Sequence, residues 1–258
     1  MISTKNLSVG YGNNVVLSDI NVDFKSGEFT VLLGPNGCGK STLIKTVLGL
    51  QEKISGEIFV DGVEAEQLDR REFAQKASYM PQSRPTPNIS AMRMVLHGRF
   101  PYLSFPRHYR KEDFEIAKKA LERVDALELA NSYMPQLSGG QKQKIYLAMV
   151  LAQDTDTIFM DEPTTFLDIE HQLQVMENIR TLVNEGKSVV MVLHDIAMAM
   201  RYADRIILFN KGSLFAHGTP EEIYSSGQIE KVFNIGLKRV NTEDGWQYYY
   251  DKAATNRG

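Results

Sequence analysis

The run GPNGCGKS at residues 34–41 could bind phosphate, because it matches the pattern G-x-x-x-x-G-K-[ST] in full. The apolar run FTVLL precedes it and the helical run STLIKTVLGL begins at its end, which is the context that this pattern needs. Its backbone N–H groups would wrap the phosphates, Lys40 would place a charge near the β and γ groups, and Ser41 would offer a hydroxyl to Mg²⁺. The alternative is a glycine-rich turn with an exposed lysine. We predict a phosphate-binding loop and call residues 34–41 the P-loop.

The residues expected to surround the nucleotide phosphates are consecutive: Gly34, Pro35, Asn36, Gly37, Cys38, Gly39, Lys40, Ser41 and Thr42. Cys38 is the only cysteine of the chain, so no internal disulfide can form and the chain fits a reducing compartment. We interpret Cys38 as a small residue that the loop tolerates, rather than as a redox switch.

Two adjacent carboxylates end the apolar run TIFMDE at residues 157–162. One acid at the carboxyl end of a strand is common in α/β sheets, because ligands gather at that edge. Two in succession indicate two roles: Asp161 can hold the metal, while Glu162 can orient and deprotonate the attacking water. The alternative is a pair of solvated acids at a strand end, which the P-loop makes less attractive.

Two further polar side chains follow apolar runs. His194 ends SVVMVLH, and a lone histidine there is more often structural than functional, yet its strand should end at the same edge as the others and could contact the γ-phosphate. Gln82 ends ASYMPQ, and its neutral amide is chemically suited to a place near Mg²⁺ or the water. We predict Ser41, Gln82 and Asp161 as metal ligands, and Lys40, Gln82, Glu162 and His194 as the residues that support catalysis.

The segment LSGGQ at residues 137–141 has two interpretations that the segment alone leaves open. Ser138 can cap the helix that follows, with Gly139 and Gly140 as its entry. Alternatively, unpaired N–H groups at a helix start attract anions, and glycine lets a phosphate come close. We call residues 137–141 the LSGGQ segment.

The elements that must position these residues alternate between β-branched apolar runs and helical patterns, which predicts an α/β domain with a largely parallel sheet. From residue 88 to 153 the pattern is helical, and KEDFEIAKKALERVDALELA spaces Phe114, Ala117, Leu121 and Val124 as one face. We predict core segments at 1–87 and 154–236 around this insertion. Residues 237–258 should form a hairpin, turning at Asp244-Gly245, and a tail.

Composition excludes several classes of function. Hydrophobic residues make up 43% and charged residues 24%, with a net charge of -3, so no field attracts nucleic acid or an anionic membrane non-specifically. We predict no nucleic-acid partner. The start MISTKNLSVGYG has no leader pattern and no apolar stretch approaches a membrane span, so any membrane role is expected to come through a partner.

Together, these motifs resemble those of the ATP-binding cassette (ABC) family over nearly the whole chain, from about residue 2 to 236. The LSGGQ segment resembles the signature of that family, in which two cassettes pack head to tail and the signature of one covers the γ-phosphate held by the other. The resemblance implies ATP and Mg²⁺ as cofactors, a homodimer, and a role in trans for the signature residues Ser138, Gly139, Gly140 and Gln141.

The same resemblance assigns further residues. Tyr11 is similar to the aromatic residue that stacks on adenine, Gln82 to the Q-loop glutamine and His194 to the switch histidine. FLD at residues 166–168, which we call the D-loop, is similar to the segment that crosses the dimer interface, with Asp168 matched and Phe166 in place of a small residue. Lysines follow the signature where arginines are usual, which would weaken helix pairing there.

DEPTTFLDIEHQ, VLHDIAMAMRYAD and GRFPYLSF are most similar to ATPase subunits of ferric siderophore importers. The resemblance implies two integral membrane permease subunits, an extracytoplasmic substrate-binding protein, and a place at the cytoplasmic face of the membrane. Importers of haem or vitamin B12 are the alternatives. A cassette ATPase acting on nucleic acid or ribosomes is disfavoured by the single P-loop, and a module without turnover by Glu162.

The segment at residues 97–110, HGRFPYLSFPRHYR, mixes aromatic residues with arginines, the composition of interface anchors. Because it follows Gln82, a change at the γ-phosphate could reach it. We predict that it docks the membrane subunits through its aromatic and arginine side chains, which are Phe100, Tyr102, Phe105, Tyr109, Arg99, Arg107 and Arg110. A local mini-core under a surface loop is the alternative.

Overall fold

A computed structural model describes residues 1–82, 85–165, 167–243 and 245–252. The strands are β1 (Ile2–Tyr11), β2 (Asn14–Phe24), β3 (Phe29–Leu33), β4 (Lys53–Val60), β5 (Val63–Glu64), β6 (Ala77–Met80), β7 (Thr157–Asp161), β8 (Ser188–Val192), β9 (Arg205–Asn210), β10 (Ser213–Gly218), β11 (Ile235–Thr242) and β12 (Gly245–Lys252). The helices are α1 (Lys40–Val47), α2 (Arg70–Lys76), α3 (Ala91–Leu96), α4 (Lys111–Arg123), α5 (Gly139–Gln153), α6 (Ile169–Asn184), α7 (Ile196–Tyr202), α8 (Pro220–Ser225) and α9 (Gln228–Phe233).

The central sheet has the strand order β10-β9-β3-β8-β7-β6 and is parallel except for its edge strand β10. Every residue of β3, β7 and β8 is buried, as expected for parallel strands that are covered on both faces. The predicted α/β fold with a largely parallel sheet is confirmed.

The order of the strands decides which side chains meet. β8 pairs with β3 on one side and with β7 on the other, and β7 also pairs with β6. Four carboxyl ends therefore lie side by side, and the P-loop, Asp161, His194 and Gln82 follow them. A crevice at the carboxyl ends of parallel strands is where α/β sheets bind ligands.

A second, antiparallel sheet has the order β2-β1-β4-β5, and the sequence patterns did not predict it. Shifts of register interrupt both the β1–β2 and the β1–β4 ladders, so the alternation that reveals a half-buried strand is broken in the sequence. Its core packs against the central sheet, where the rings of Phe24 and Phe159 meet edge to face at 5.5 Å. Leu32 of β3 faces this core, whereas Val31 and Leu33 face the helices on the opposite side.

The helical region lies between β6 and β7, where α5 packs on α3 and α4. Ala117, Leu121 and Val124 are buried as predicted. Phe114 is not: its side chain is 45% exposed and contacts the ring of Tyr109 edge-on at 6.4 Å. The spacing of three and four residues was correct for Ala117, Leu121 and Val124, but Phe114 lies in the first turn of α4, before the helix reaches the core.

The predicted hairpin is present as β11 and β12, and Thr242 pairs with Gly245 at its turn. It begins at Ile235 rather than at residue 237, and Asp244 lies outside the described residues. Arg239 stacks between the rings of Tyr224 and Trp246, which attaches the hairpin to α8. The division of the chain into domains stays a prediction. No helix in the described part is both long and apolar enough to cross a membrane.

Candidate functional site

The P-loop leaves β3 in a conformation that its glycines make possible. Gly34, Gly37 and Gly39 all have positive φ, at 152°, 77° and 103°. A Cβ on Gly34 would lie 2.6 Å from the carbonyl oxygen of Phe209, and one on Gly39 would lie 2.7 Å from Cγ1 of Val16. A Cβ on Gly37 would meet no described atom within 4 Å. Two glycines therefore pack against the protein, and Gly37 faces open space.

Lys40 is the first residue of α1, and its side chain curls back into the loop. Its ammonium group donates to the carbonyl oxygens of Gly34 at 2.8 Å and Pro35 at 3.1 Å, and the residue is only 5% exposed. A lysine is rarely buried unless it is paired. Cys38 Sγ lies 3.8 Å from this ammonium, and its half-buried side chain packs with the core between the sheets, in agreement with a small packing residue.

Asp161 is connected to the P-loop directly. Ser41 Oγ donates to Asp161 Oδ1 at 2.9 Å, and the hydroxyl of Tyr79 donates to Oδ2 at 3.4 Å. Burial raises the pKa of Asp161, and the hydrogen bond from Ser41 opposes that rise. Hydroxyl and carboxylate oxygens are the ligands that Mg²⁺ prefers, usually as one or two protein ligands beside phosphates and waters.

Glu162 accepts from three side chains that come from different parts of the chain. Gln82 Nε2 lies 2.6 Å from Oε2, Thr165 Oγ1 lies 3.2 Å from the same oxygen, and His194 Nε2 lies 2.5 Å from Oε1. Its backbone has a φ of 49°, an unusual value for a residue other than glycine. Strained backbone persists where the surroundings hold it in place and is concentrated at functional sites.

Many of these residues line one open cleft with a volume of about 520 Å³, within the usual range for a small-molecule site, and Asp161 lies behind its lining, bonded to Ser41. Tyr11 lies at its mouth, 53% exposed, with its hydroxyl 3.3 Å from Thr42 Oγ1. The residues that line the cleft are Tyr11, Val16, Asn36, Gly37, Gly39, Lys40, Ser41, Thr42, Gln82, Glu162 and His194. Most of the predicted nucleotide site is therefore assembled in one place.

The LSGGQ segment is a helix start, as its simpler interpretation predicted. Ser138 caps α5: its hydroxyl accepts from the N–H of Gln141 at 3.2 Å, and Gln141 Oε1 accepts from the N–H of Ser138 at 2.9 Å. Gly139 and Gly140 are the first residues of α5, and neither has a positive φ. The described residues that line the nucleotide cleft do not include Ser138, Gly139, Gly140 or Gln141. The phosphate-binding interpretation remains open.

Asp168 of the D-loop caps α6. Its Oδ1 accepts from the N–H of His171 at 2.9 Å and lies 2.5 Å from His171 Nδ1. The backbone hydrogen bond, followed by the ring contact, holds the pKa of Asp168 below its usual range. Phe166 lies outside the described residues. Lys144, one of the lysines that follow the LSGGQ segment, donates to the carbonyl of Asp125 at 3.4 Å.

The sequence analysis missed Thr165 and His171. Thr165 lies three residues after Glu162, and His171 lies three residues after Asp168. At that spacing a side chain folds back on the residue at the start of a turn or helix. The spacing was the available signal, but it is common in loops of every kind.

Comparison with known proteins gives concordant results. The family described as "ABC transporter" matches residues 17–165. The ferric enterobactin transport ATP-binding protein FepC of Escherichia coli (strain K12) is 38% identical over 231 residues, covering 89% of this chain and 85% of that protein. The iron(3+)-hydroxamate import ATP-binding protein FhuC of Bacillus subtilis (strain 168) is 36% identical over 241 residues, covering 93% and 90%.

The fold agrees with these similarities. Among solved structures, a dimeric bacterial ABC transporter cassette matches with a TM-score of 0.75 and 30% sequence identity, covering 85% of this chain and 99% of that one.

Proposed function

We propose that this chain, which belongs to the ABC transporter family, is the ATP-hydrolysing subunit of an importer for an iron(III)–siderophore complex. The observation that carries the enzymatic part is the convergence of Gln82 and His194 on Glu162, beside the P-loop. The cargo is proposed from the names of the relatives, which are ATP-binding proteins of ferric enterobactin transport and iron(3+)-hydroxamate import. Haem or vitamin B12 remains the alternative cargo.

The P-loop would hold the phosphates of ATP. Lys40 is already positioned inside the curve of the loop by two carbonyl oxygens, so its charge can move to the β and γ oxygens with little reordering. Gly37, with open space where a side chain would stand, lets the backbone approach the phosphates. Tyr11, exposed at the mouth of the cleft, would stack on the adenine.

The residues next to the P-loop suit Mg²⁺. Ser41 and Asp161 already share a hydrogen bond, and Gln82 can turn its amide oxygen toward them, so the donors are all oxygens. When bound, the ion would neutralise charge on the β- and γ-phosphate oxygens. Burial of Asp161 excludes water around its carboxylate, which strengthens its attraction for a cation.

Glu162 would act on the attacking water. Gln82 and Thr165 hold one carboxylate oxygen and His194 holds the other, so the carboxylate has a fixed orientation. Because Gln82 and His194 are hydrogen-bond donors, they can transfer to the γ-phosphate and leave an oxygen of Glu162 to accept a proton from water. The hydrogen-bond partners of Gln82 and His194 would therefore depend on whether ATP is bound.

The site is completed, in this proposal, by a second copy of the chain. Among the described residues, those of the LSGGQ segment do not line the cleft that contains the P-loop of their own chain, although Gly139 lines a neighbouring pocket with Gln82 and Glu162. The N–H groups of α5 lie at an exposed helix start. Head-to-tail packing would place Ser138, Gly139, Gly140 and Gln141 over the γ-phosphate held by the other copy. The dimer would contain two such sites, and both would close at the same time when ATP binds.

The membrane subunits would dock on the segment at residues 97–110. Phe105 is 96% exposed, and Arg107 stacks on the ring of Phe100 at 4.5 Å, so both present an aromatic and cationic surface. The expectation for Arg99 was wrong. Its guanidinium is buried, pairs with Asp113 at 3.1 Å and donates to the carbonyl of Ala152. Arg99 therefore fastens the segment to the helical region, and Phe105 and Arg107, which belong to the same predicted set, stay as proposed anchors.

Through these partners the chain would sit at the cytoplasmic face of the membrane. A substrate-binding protein outside would deliver the chelate to the permease. This subunit would act on the cargo only through closure of the dimer.

Glu162→Gln tests the proposed enzyme. It keeps the shape of the side chain but removes the base, so the variant should bind ATP, form a stable dimer and lose at least about 100-fold in turnover. Size-exclusion chromatography with Mg-ATP and a phosphate-release assay measure both. A variant that stays monomeric, or that hydrolyses at the wild-type rate, would contradict the assigned roles.

Uptake in a deletion strain tests the cargo. Complementation with the wild-type gene should restore accumulation of labelled ferric siderophores, and the Glu162→Gln gene should not. Labelled haem and vitamin B12 are the competing substrates. Restored uptake of either of these, without siderophore uptake, would transfer the proposal to that cargo.

A further inference from the structure

One side chain outside the nucleotide cleft joins the two segments that the proposed dimer places against the second copy. The ring of His171 contacts Asp168 of the D-loop through Nδ1, at 2.5 Å. The opposite edge of the ring lies over the start of α5: a Cβ on Gly140 would be 3.2 Å from His171 Nε2 and 3.3 Å from Cδ2. The imidazole therefore bridges the D-loop and the LSGGQ segment of the same chain.

The two glycines of the LSGGQ segment differ in this respect. Both have helical backbone, so neither is required by a left-handed conformation. A Cβ on Gly139 would meet no described atom within 4 Å, whereas one on Gly140 would press on the His171 ring. Among the described residues, a close neighbour that explains the absence of a side chain is found for Gly140 and not for Gly139.

The His171 ring cannot easily move aside, because its other nitrogen is held by Asp168. The backbone N–H of His171 also donates to Asp168 Oδ1, so both atoms fix the residue in the first turn of α6. One turn further along α5, the buried Gln143 donates to the carbonyl oxygen of Pro163. Two successive turns of α5 are thus tied to the stretch between Glu162 and α6.

We propose that His171 is a positioning residue that fixes the separation between the LSGGQ segment and Asp168. The two segments would then enter the second copy's site as one rigid unit. The inference rests on the proposed function, in which both segments act across a head-to-tail dimer. It assigns different reasons to the two glycines: Gly140 leaves room for His171 of its own chain, and Gly139 leaves room for the other copy.

The test is a double-mutant cycle on the full chain. Gly140→Ala should lower kcat about ten-fold, since a displacement of a few tenths of an ångström spoils the trans site. ATP affinity of the monomer should stay within about two-fold of wild type, because the cleft of its own chain is untouched. Adding His171→Asn, which can keep a donor for Asp168 but removes the far edge of the ring, should raise kcat of Gly140→Ala to the level of His171→Asn alone. His171→Asn alone should lie below wild type, because the separation of the two segments is then no longer fixed.

Gly139→Ala is the matched control, because its new methyl group does not touch His171. Its loss of kcat should be the same with and without His171→Asn. Thermal unfolding of each variant checks that all of them fold. Each variant is also combined with Glu162→Gln, and ATP-dependent dimer formation is measured by size-exclusion chromatography.

Two outcomes distinguish failure of the positioning role of His171 from failure of the proposed head-to-tail dimer. If the Glu162→Gln chain dimerises with ATP but His171→Asn rescues neither glycine variant or both equally, the positioning role is overturned while the head-to-tail dimer stands. If the Glu162→Gln chain forms no dimer with ATP, the proposed arrangement fails and this inference fails with it. Rescue of Gly140→Ala alone, in a chain that dimerises, supports the assignment.

Discussion

The P-loop and the LSGGQ segment are both rich in glycine, but they use glycine for different reasons. In the P-loop every glycine has a positive φ, and Gly34 also packs against the carbonyl of Phe209. In the LSGGQ segment the backbone is an ordinary capped helix, and Gly139 has open space around it. Backbone conformation and packing within this chain therefore explain the three glycines of the P-loop. Gly139 has no such explanation within the described residues, and in the proposed dimer the second copy would supply it.

The largest expected effect tests the role of the P-loop, and it follows from substitution of Lys40. Lys40→Ala removes the cation held inside the P-loop, so nucleotide binding by the monomer should fall about 100-fold and hydrolysis should become undetectable. Titration with a fluorescent ATP analogue measures the binding. Lys118→Ala, on the exposed face of α4, is the matched control and should bind as the wild type does. Equal ATP binding by both variants would contradict the assignment of the P-loop to the nucleotide site.

A mixture of two inactive subunits tests whether the second region acts in trans. Gly139→Asp places a carboxylate at the start of α5, and Lys40→Ala disables the P-loop. In a mixed dimer one site carries both lesions and the other carries neither. If the sites act independently, an equal mixture should recover about a quarter of the wild-type ATPase activity. Recovery no greater than that of the parents would show that the segments do not act across the dimer, or that the sites are coupled.

The same substitution should have opposite effects on stability in the two regions. Gly34→Ala forces a Cβ against a carbonyl at a positive φ and should lower the unfolding temperature by at least about 5 °C. Gly139→Ala adds a better helix former in an exposed first turn and should stabilise the fold by about 0.5–1 kcal/mol while lowering hydrolysis. Calorimetry without nucleotide measures both. Destabilisation by Gly139→Ala would mean that this glycine serves its own chain.

The smallest expected effect concerns the carboxylate beside the P-loop. The pKa of Asp161 is raised by burial, so the folded chain binds this proton more tightly than the unfolded chain, and the ionised carboxylate costs stability above its folded pKa. Asp161→Asn should therefore raise the unfolding temperature at pH 8 without ligand, and hydrolysis should be lost. The gain should shrink as pH falls below the folded pKa and should be absent below the ordinary pKa of an aspartate in the unfolded chain. Asp23→Asn, at an exposed site, should change neither property.

Motifs that are local in sequence were predictable. The P-loop, the Asp161-Glu162 pair and the histidine after β8 each end a short apolar run, and the rule that parallel strands end at one edge brought them together. Their roles in catalysis remain predictions. The capped helix at Ser138 was also predictable, because serine followed by glycine before a helical run is typical of a helix start.

What could not be predicted depends on contacts between distant elements. Composition gave Arg99 and Phe105 the same role, but Arg99 finds Asp113 on α4 and becomes buried, while Phe105 stays exposed. The contact between His171 and Gly140 joins two helices that are separated in sequence by β7. The sequence around Arg99 and around His171 shows no local pattern that predicts these distant neighbours.

The order of the central sheet has a consequence for how the chain is made on the ribosome. β3 leads into the P-loop, but both of its neighbours, β8 and β9, come from the last third of the sequence. At typical rates of synthesis, roughly 10–30 seconds separate the emergence of β3 from that of β8. During that interval the antiparallel sheet can form locally, but β3 has no partner on either side. A nascent chain released before β8 would therefore expose β3 as an unpaired apolar strand.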